Sequence, residues 1–91
     1  MKTTRINETV TVLDTGTACV GCMAWESPFV VFGRANGEKI TWHSDGIDSV
    51  LSDNGLRHRN LDNGNQCAVS MNYREVKGKL RVYRLHSIKK V

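Results

Sequence analysis

Apolar and β-branched positions alternate with polar ones over most of the chain, a period of two that marks half-buried strands. "TVTVLD" (Thr9–Asp14) reads as a first strand. In "FVVFGRANGEKITWHS", two strand-like arms, Phe29–Arg34 and Lys39–Ser44, flank Asn36-Gly37, a dipeptide suited to the positive φ of a tight hairpin turn. Ile40 and Trp42 share one face of the second arm, with Thr41 and His43 on the other. Phe29 and Val31 likewise oppose Val30 and Phe32, so one phenylalanine faces the surface or an end. "QCAVSMNY" (Gln66–Tyr73) alternates cleanly and places Cys67, Val69, Met71 and Tyr73 together. A second turn at Lys77-Gly78 leads to a last strand, Leu80–Ile88, whose alternation slips at Val82-Tyr83-Arg84-Leu85. Such a slip signals a bulge or burial on both faces.

One segment follows a different period. In "DGIDSVLSDNG" (Asp45–Gly55), Ile47, Val50 and Leu51 fall at i, i+3, i+4, one side of a short helix. Asp45 or Asp48 could cap its start, and Asn54-Gly55 suits its end. Asp14–Pro28 is rich in Gly, Thr, Ser and Ala and reads as a long loop. Pro28 stands where the next strand begins, and Leu56–Asn65 reads as a polar, basic linker. The order is strand, long loop, hairpin, helix, hairpin. Five strands with a helix between the third and fourth is the layout of an OB-fold, a small Greek-key barrel. An open antiparallel sheet with one packed helix is the alternative. The chain of 91 residues is sized for one domain, with residues 1–8 and 89–91 expected to be its mobile ends.

The stretches "VVFGRANGEKITWHS" and "YREVKGKLRVYRLHSIKK" resemble small OB-like domains of phage and mobile-element proteins. In those, a Gly/Asn turn feeds an aromatic-rich strand, and a later strand leads through a Tyr and a Gly to a basic final strand. Asn36-Gly37, Ile40-Thr41-Trp42, Tyr73 with Gly78, and Arg84 stand in comparable places. The resemblance implies an OB-like barrel and a phage-like origin.

Charge adds an asymmetry. The formal net charge is +4. Residues 1–56 carry four basic side chains against seven acidic ones, net −3, whereas residues 57–91 carry nine against two, net +7. A basic half suits a polyanionic partner. The start "MKTTRINETV" has no apolar run of a secretory leader, and no apolar stretch approaches the ~20 residues of a membrane span. Three cysteines cannot all pair within the chain. A reducing, cytoplasmic setting is the expectation.

Cys19-Val20-Gly21-Cys22 has metal-ligand spacing, but a structural zinc site needs four ligands, usually two such pairs. The remaining soft ligands are Cys67, on an apolar strand face, and His43, His58 and His86, of which His58 sits between arginines. A redox CxxC opens a helix after a strand. Here "MAWESPF" meets a proline and a strand at once. Thiols in a loop, with no cofactor, are the expectation, and Cys19 and Cys22 remain the zinc candidates. No carboxylate pair forms a recognisable catalytic motif, and "GRANGEK" lacks the spacing and ending of a phosphate-binding loop. The expected class is a binding module and not an enzyme.

OB-folds bind single strands by stacking bases on aromatics while cations track phosphates, with the first and last hairpin loops flanking the binding face. Trp25 in the first loop is either an exposed anchor or a plug for a barrel end. Trp42 is expected in the core. Arg57 and Arg59 precede the fourth strand, and Arg74, Lys77, Lys79 and Arg81 surround the last turn. These residues with Trp25 form the expected surface for single-stranded DNA or RNA. The other candidate partner is a host protein or nucleoprotein complex, such as a CRISPR effector or other defence machine, which a phage inhibitor blocks through a few aromatic and arginine anchors.

Overall fold

The computed structural model describes residues 2–19, 26–43, 47–57 and 61–91. Its elements are β1 (Thr4–Cys19), β2 (Glu26–Gly33), β3 (Lys39–His43), α1 (Ile47–Asp53), β4 (Gln66–Val76) and β5 (Lys79–Lys90). The strands close into a five-stranded barrel in the order β1-β2-β3-β5-β4. All neighbours are antiparallel except β3 and β5, which run parallel through Ile40↔Leu80 and Thr41↔Arg81. This is the OB-like Greek-key barrel and not the open sheet.

Alternation decides what enters the barrel. Val10 and Val12 of β1, Val30 and Phe32 of β2, and Ile40 and Trp42 of β3 are buried, as are Cys67, Val69 and Met71 of β4. Phe32 stacks on Trp42 with ring centroids 6.2 Å apart and planes 21° apart. Phe29 and Val31 point outward and are half-buried. In β5 the inward residues are Val82, Leu85 and Ile88, three apart. The ladder to β4 skips Tyr83 and His86, so two bulges account for the slip in the pattern.

The first strand is longer at both ends than Thr9–Asp14. Thr4–Thr11 pairs with β4, and Thr11–Cys19 with β2, so the supposed loop Asp14–Pro28 is strand as far as Cys19 and again from Glu26. A bulge between Val12 and Asp14 bends β1 where it changes partners. The bend puts Leu13 out, 40% exposed, which removes the apolar alternation that would have marked the second half as strand. Pro28 is not the first residue of β2 but the third. It pairs with Thr17 on one side and lies beyond the last β3 pair, Phe29↔His43, on the other. A residue without an N–H is tolerated where the ladder has one neighbour. Both chain ends are strand-paired too: Thr4–Glu8 lies along Tyr73–Val69, and Lys89 and Lys90 face Ala68 and Cys67.

The turns differ in kind. Gly37 takes φ 90° while Asn36 does not enter the left-handed region, and Gly37 N–H donates to the Arg34 carbonyl at 3.0 Å. The loop thus has three residues and a left-handed glycine, not two positive-φ residues. The Asn36 side chain uses its oxygen to accept from Glu38 N–H at 3.0 Å. At the last turn both Lys77 (φ 51°) and Gly78 (φ 78°) are left-handed, the two-residue hairpin turn whose twist matches the strands.

Each end of the barrel has its own closure. At one, Ile47 and Leu51 of α1 and Leu61 are buried. Helix α1 ends at Gly55 (φ 74°), with Leu56 N–H donating to the Leu51 carbonyl and Gly55 N–H to Ser52, the paired bonds of a glycine-terminated helix. Asn54 ties that end to β5 by accepting from Ile88 N–H at 3.4 Å. Asp45 lies outside the described residues, as does the side chain of Asp48. At the other end, Glu8 and Tyr73 occupy inward positions at the rim, and Arg34 bridges them. The guanidinium donates to Glu8 from Nη2 at 2.8 Å and from Nε at 3.2 Å, to Glu38 from Nη1 at 2.6 Å and to the Tyr73 hydroxyl at 3.2 Å. The hydrogen bonds to Glu8 hold the Arg34 pKa above its ordinary value.

Candidate functional site

The parallel seam between β3 and β5 assembles the site. Pairing of Ile40 with Leu80 and Thr41 with Arg81 brings together the starts of two strands, each opened by a lysine, Lys39 and Lys79. Alternation then turns Val31, Lys39 and Thr41 outward on β2 and β3, opposite the inward Phe32, Ile40 and Trp42. The result is an open groove of about 470 Å³ lined by Val31, Lys39, Thr41, Gly78, Lys79 and Leu80. Its lining contains two ammonium groups and no carboxylate. A single cross-strand row continues it, Val31–Thr41–Arg81–Arg74, through successive pairs on β2, β3, β5 and β4. At about 4.8 Å per strand this row is roughly 14 Å long and runs across the strands. Exposed Asp14 and Glu75 flank the cationic region, Asp14 opposite Val31 and Glu75 next to Arg74.

Of the residues singled out in the sequence, Arg74, Lys77, Lys79 and Arg81 come together here. Lys77, Lys79 and Arg81 are exposed and Arg74 is half-buried. Arg57 is exposed but stands apart. It follows the end of α1, which is tied to β5 at Ile88, far along that strand from Lys79. Trp25, Arg59, Cys22 and His58 lie outside the described residues. The ladder places the ends of the loop that carries Cys22 and Trp25, Cys19↔Glu26, at the opposite end of the β1–β2 hairpin from Gly33↔Lys39.

Between those ends lie Phe29 and His43, paired across β2 and β3, with rings edge-to-face at 6.2 Å. The Phe29 ring covers Gly16, where a Cβ would come within 3.2 Å of it. His43 Nε2 is buried with no hydrogen-bond partner among the described residues.

Sequence reasoning left out Val31, Lys39, Thr41 and Tyr83. Lys39, Thr41 and His43 alternate along one arm, a signal present in the pattern. Tyr83 was hidden by the bulge, which turns both it and Arg84 outward.

Cys67 is fully buried in the barrel, and burial pushes its thiol pKa up, partly offset by Lys90. Among the described residues no group of three or more His, Cys, Asp or Glu side chains could hold a metal ion. No helix among them is long and apolar enough to cross a membrane.

Fold and site together define an OB-like barrel with a cationic groove across its parallel seam. No family model matches the chain, and neither a curated protein nor a solved structure matches it.

Proposed function

We propose that this chain is a non-enzymatic binding module for single-stranded nucleic acid, held across β2, β3, β5 and β4 by Lys39, Lys77, Lys79, Arg81 and Arg74. The supporting observation is the strand register, which sets Lys39 beside Lys79 and Thr41 beside Arg81 next to an apolar, β-branched floor. Phosphates meet the cations, and bases or sugars meet Val31 and Thr41. This is the division of labour in single-strand binding, where cations supply affinity and apolar surface accepts the bases. Trp25, between β1 and β2 in the sequence, belongs to the proposal as an aromatic contact. A cytoplasmic setting and a phage-like origin belong to it as well.

Fluorescence anisotropy with a labelled single-stranded oligonucleotide tests it. Binding that weakens steeply between low and moderate salt is expected, because each neutralised phosphate releases counterions. No binding up to about 100 µM at low salt, the weak end of ordinary non-specific affinity, removes the proposal. It would then leave a host protein as the partner, to be sought by pull-down after nuclease treatment.

A further inference from the structure

The outer face of β4 and β5 carries an arrangement that the groove alone does not use. Tyr83 is the extra residue of a bulge: Val82 turns in, Tyr83 and Arg84 turn out, and Leu85 turns in again. It is 58% exposed, whereas Phe29 and Tyr73 are half-buried and Phe32 and Trp42 are buried. An aromatic ring lifted out of the ladder in this way contributes little to the core. On it lies a guanidinium: Arg74 Cζ is 5.2 Å from the ring centroid. A cation at that distance is attracted by the ring's π face and restrains its rotation.

Arg74 is also directly opposite Arg81 in the β4–β5 ladder. The register sets these two side chains on adjacent strands of one face, and planar guanidiniums suit phosphate oxygens. Arg81 in turn pairs with Thr41, the outward residue of the groove. The same register therefore joins the groove, two arginines and an exposed aromatic ring in one path.

We propose that Tyr83 is a base-stacking platform, and that Arg74 and Arg81 hold the phosphate of the nucleotide stacked on it. The proposal rests on single-stranded nucleic acid being the ligand. A strand leaving the groove over Arg81 runs along β5 to Tyr83, where one base lies on the ring face that Arg74 does not cover. Stacking needs only a π face, so the site accepts any base.

The test compares wild type, Tyr83→Ala and Tyr83→Phe, each titrated by anisotropy at one low salt concentration. Two ligands of equal length are used: labelled oligo-dT and a wholly abasic deoxyribose-phosphate chain. Loss of a stacking contact weakens oligo-dT binding by about tenfold or more in Tyr83→Ala. Tyr83→Phe keeps the ring and binds oligo-dT like wild type. All three proteins bind the abasic chain equally. In wild type, the Tyr83 ring protons move upfield with oligo-dT and stay in place with the abasic chain, a readout that does not depend on any variant folding. If wild type binds oligo-dT and Tyr83→Ala binds it as tightly, the stacking platform is overturned while nucleic-acid binding stands. Unmoved ring protons in a wild-type complex have the same meaning. If wild type binds neither ligand, both proposals fall.

Discussion

Replacing Arg34 with methionine removes the group that closes one end of the barrel. The Arg34 side chain is 17% exposed, its Glu8 partner 28% and Glu38 42%. Methionine keeps much of the apolar stem but leaves a half-buried Glu8 carboxylate, which had accepted from Nε and Nη2, without a partner. It also removes the bond to the Tyr73 hydroxyl and the guanidinium 5.8 Å above the Tyr73 ring. Breaking a fully buried ion pair costs about 3–5 kcal/mol, and an exposed one about 0–1 kcal/mol. The Glu8 side of this cluster falls between those limits, and the more exposed Glu38 contact adds little. The expected loss is about 2 kcal/mol. For a domain of this size that lowers Tm by about 8–16 °C. Thermal unfolding followed by circular dichroism measures it. The loss should be the same from pH 6 to pH 9. A cation whose folded pKa is raised contributes fully below its unfolded value and loses that contribution only as pH rises through the folded one, and for arginine both lie in strong alkali. A Tm change under about 3 °C would show that the cluster is a solvated surface feature and not a closure of the barrel.

Three further outcomes follow from the same structure. Lys77→Asn places a residue tolerant of left-handed backbone at φ 51°, and it should stabilise the fold by about 0.5–1 kcal/mol in urea unfolding while weakening oligonucleotide binding. Unchanged stability would mean that Lys77 is not strained there. In a Cys19→Ser, Cys22→Ser variant, the remaining Cys67 thiol should resist a thiol-specific reagent until the protein unfolds, since it is fully buried and its ionisation is suppressed. The unfolded chain ionises first, so Cys67 contributes fully below the ordinary thiol pKa and its contribution is lost as pH rises above it. Rapid labelling in native buffer would contradict its burial. Lys79→Gln with Arg81→Gln should flatten the plot of log affinity against log salt by about 1.4, at about 0.7 per phosphate contact on a single strand. An unchanged slope would place the phosphates elsewhere.

The pattern of period two was enough to place β3, β4 and the inner face of β2, because each has one buried and one exposed face. The helix was legible from a different spacing, Ile47, Val50 and Leu51 at i, i+3, i+4. The period of two failed for β1 because that strand serves two neighbours and bends at Leu13. Thr15, Gly16 and Thr17 then look like loop residues, although they pair along β2. It failed for Tyr83 because two bulges stretch the inward spacing of β5 to three residues. Arg74, Lys77, Lys79 and Arg81 were legible as a cluster because they surround one turn. Lys39 was not, since only the parallel β3–β5 seam brings it beside Lys79, and parallel pairing leaves no local mark.

The central claim concerns a face, and amide chemical-shift mapping tests that face directly. Isotope-labelled protein is titrated with a short single-stranded oligonucleotide at low salt. The largest shifts are expected at Val31, Lys39, Thr41, Gly78, Lys79, Arg81 and Tyr83, with little change at Asn7, Thr9, Ser70 and Ser87 on the outer face of β1, β4 and β5. Shifts gathered on that second face, or no shifts at all, would contradict the account.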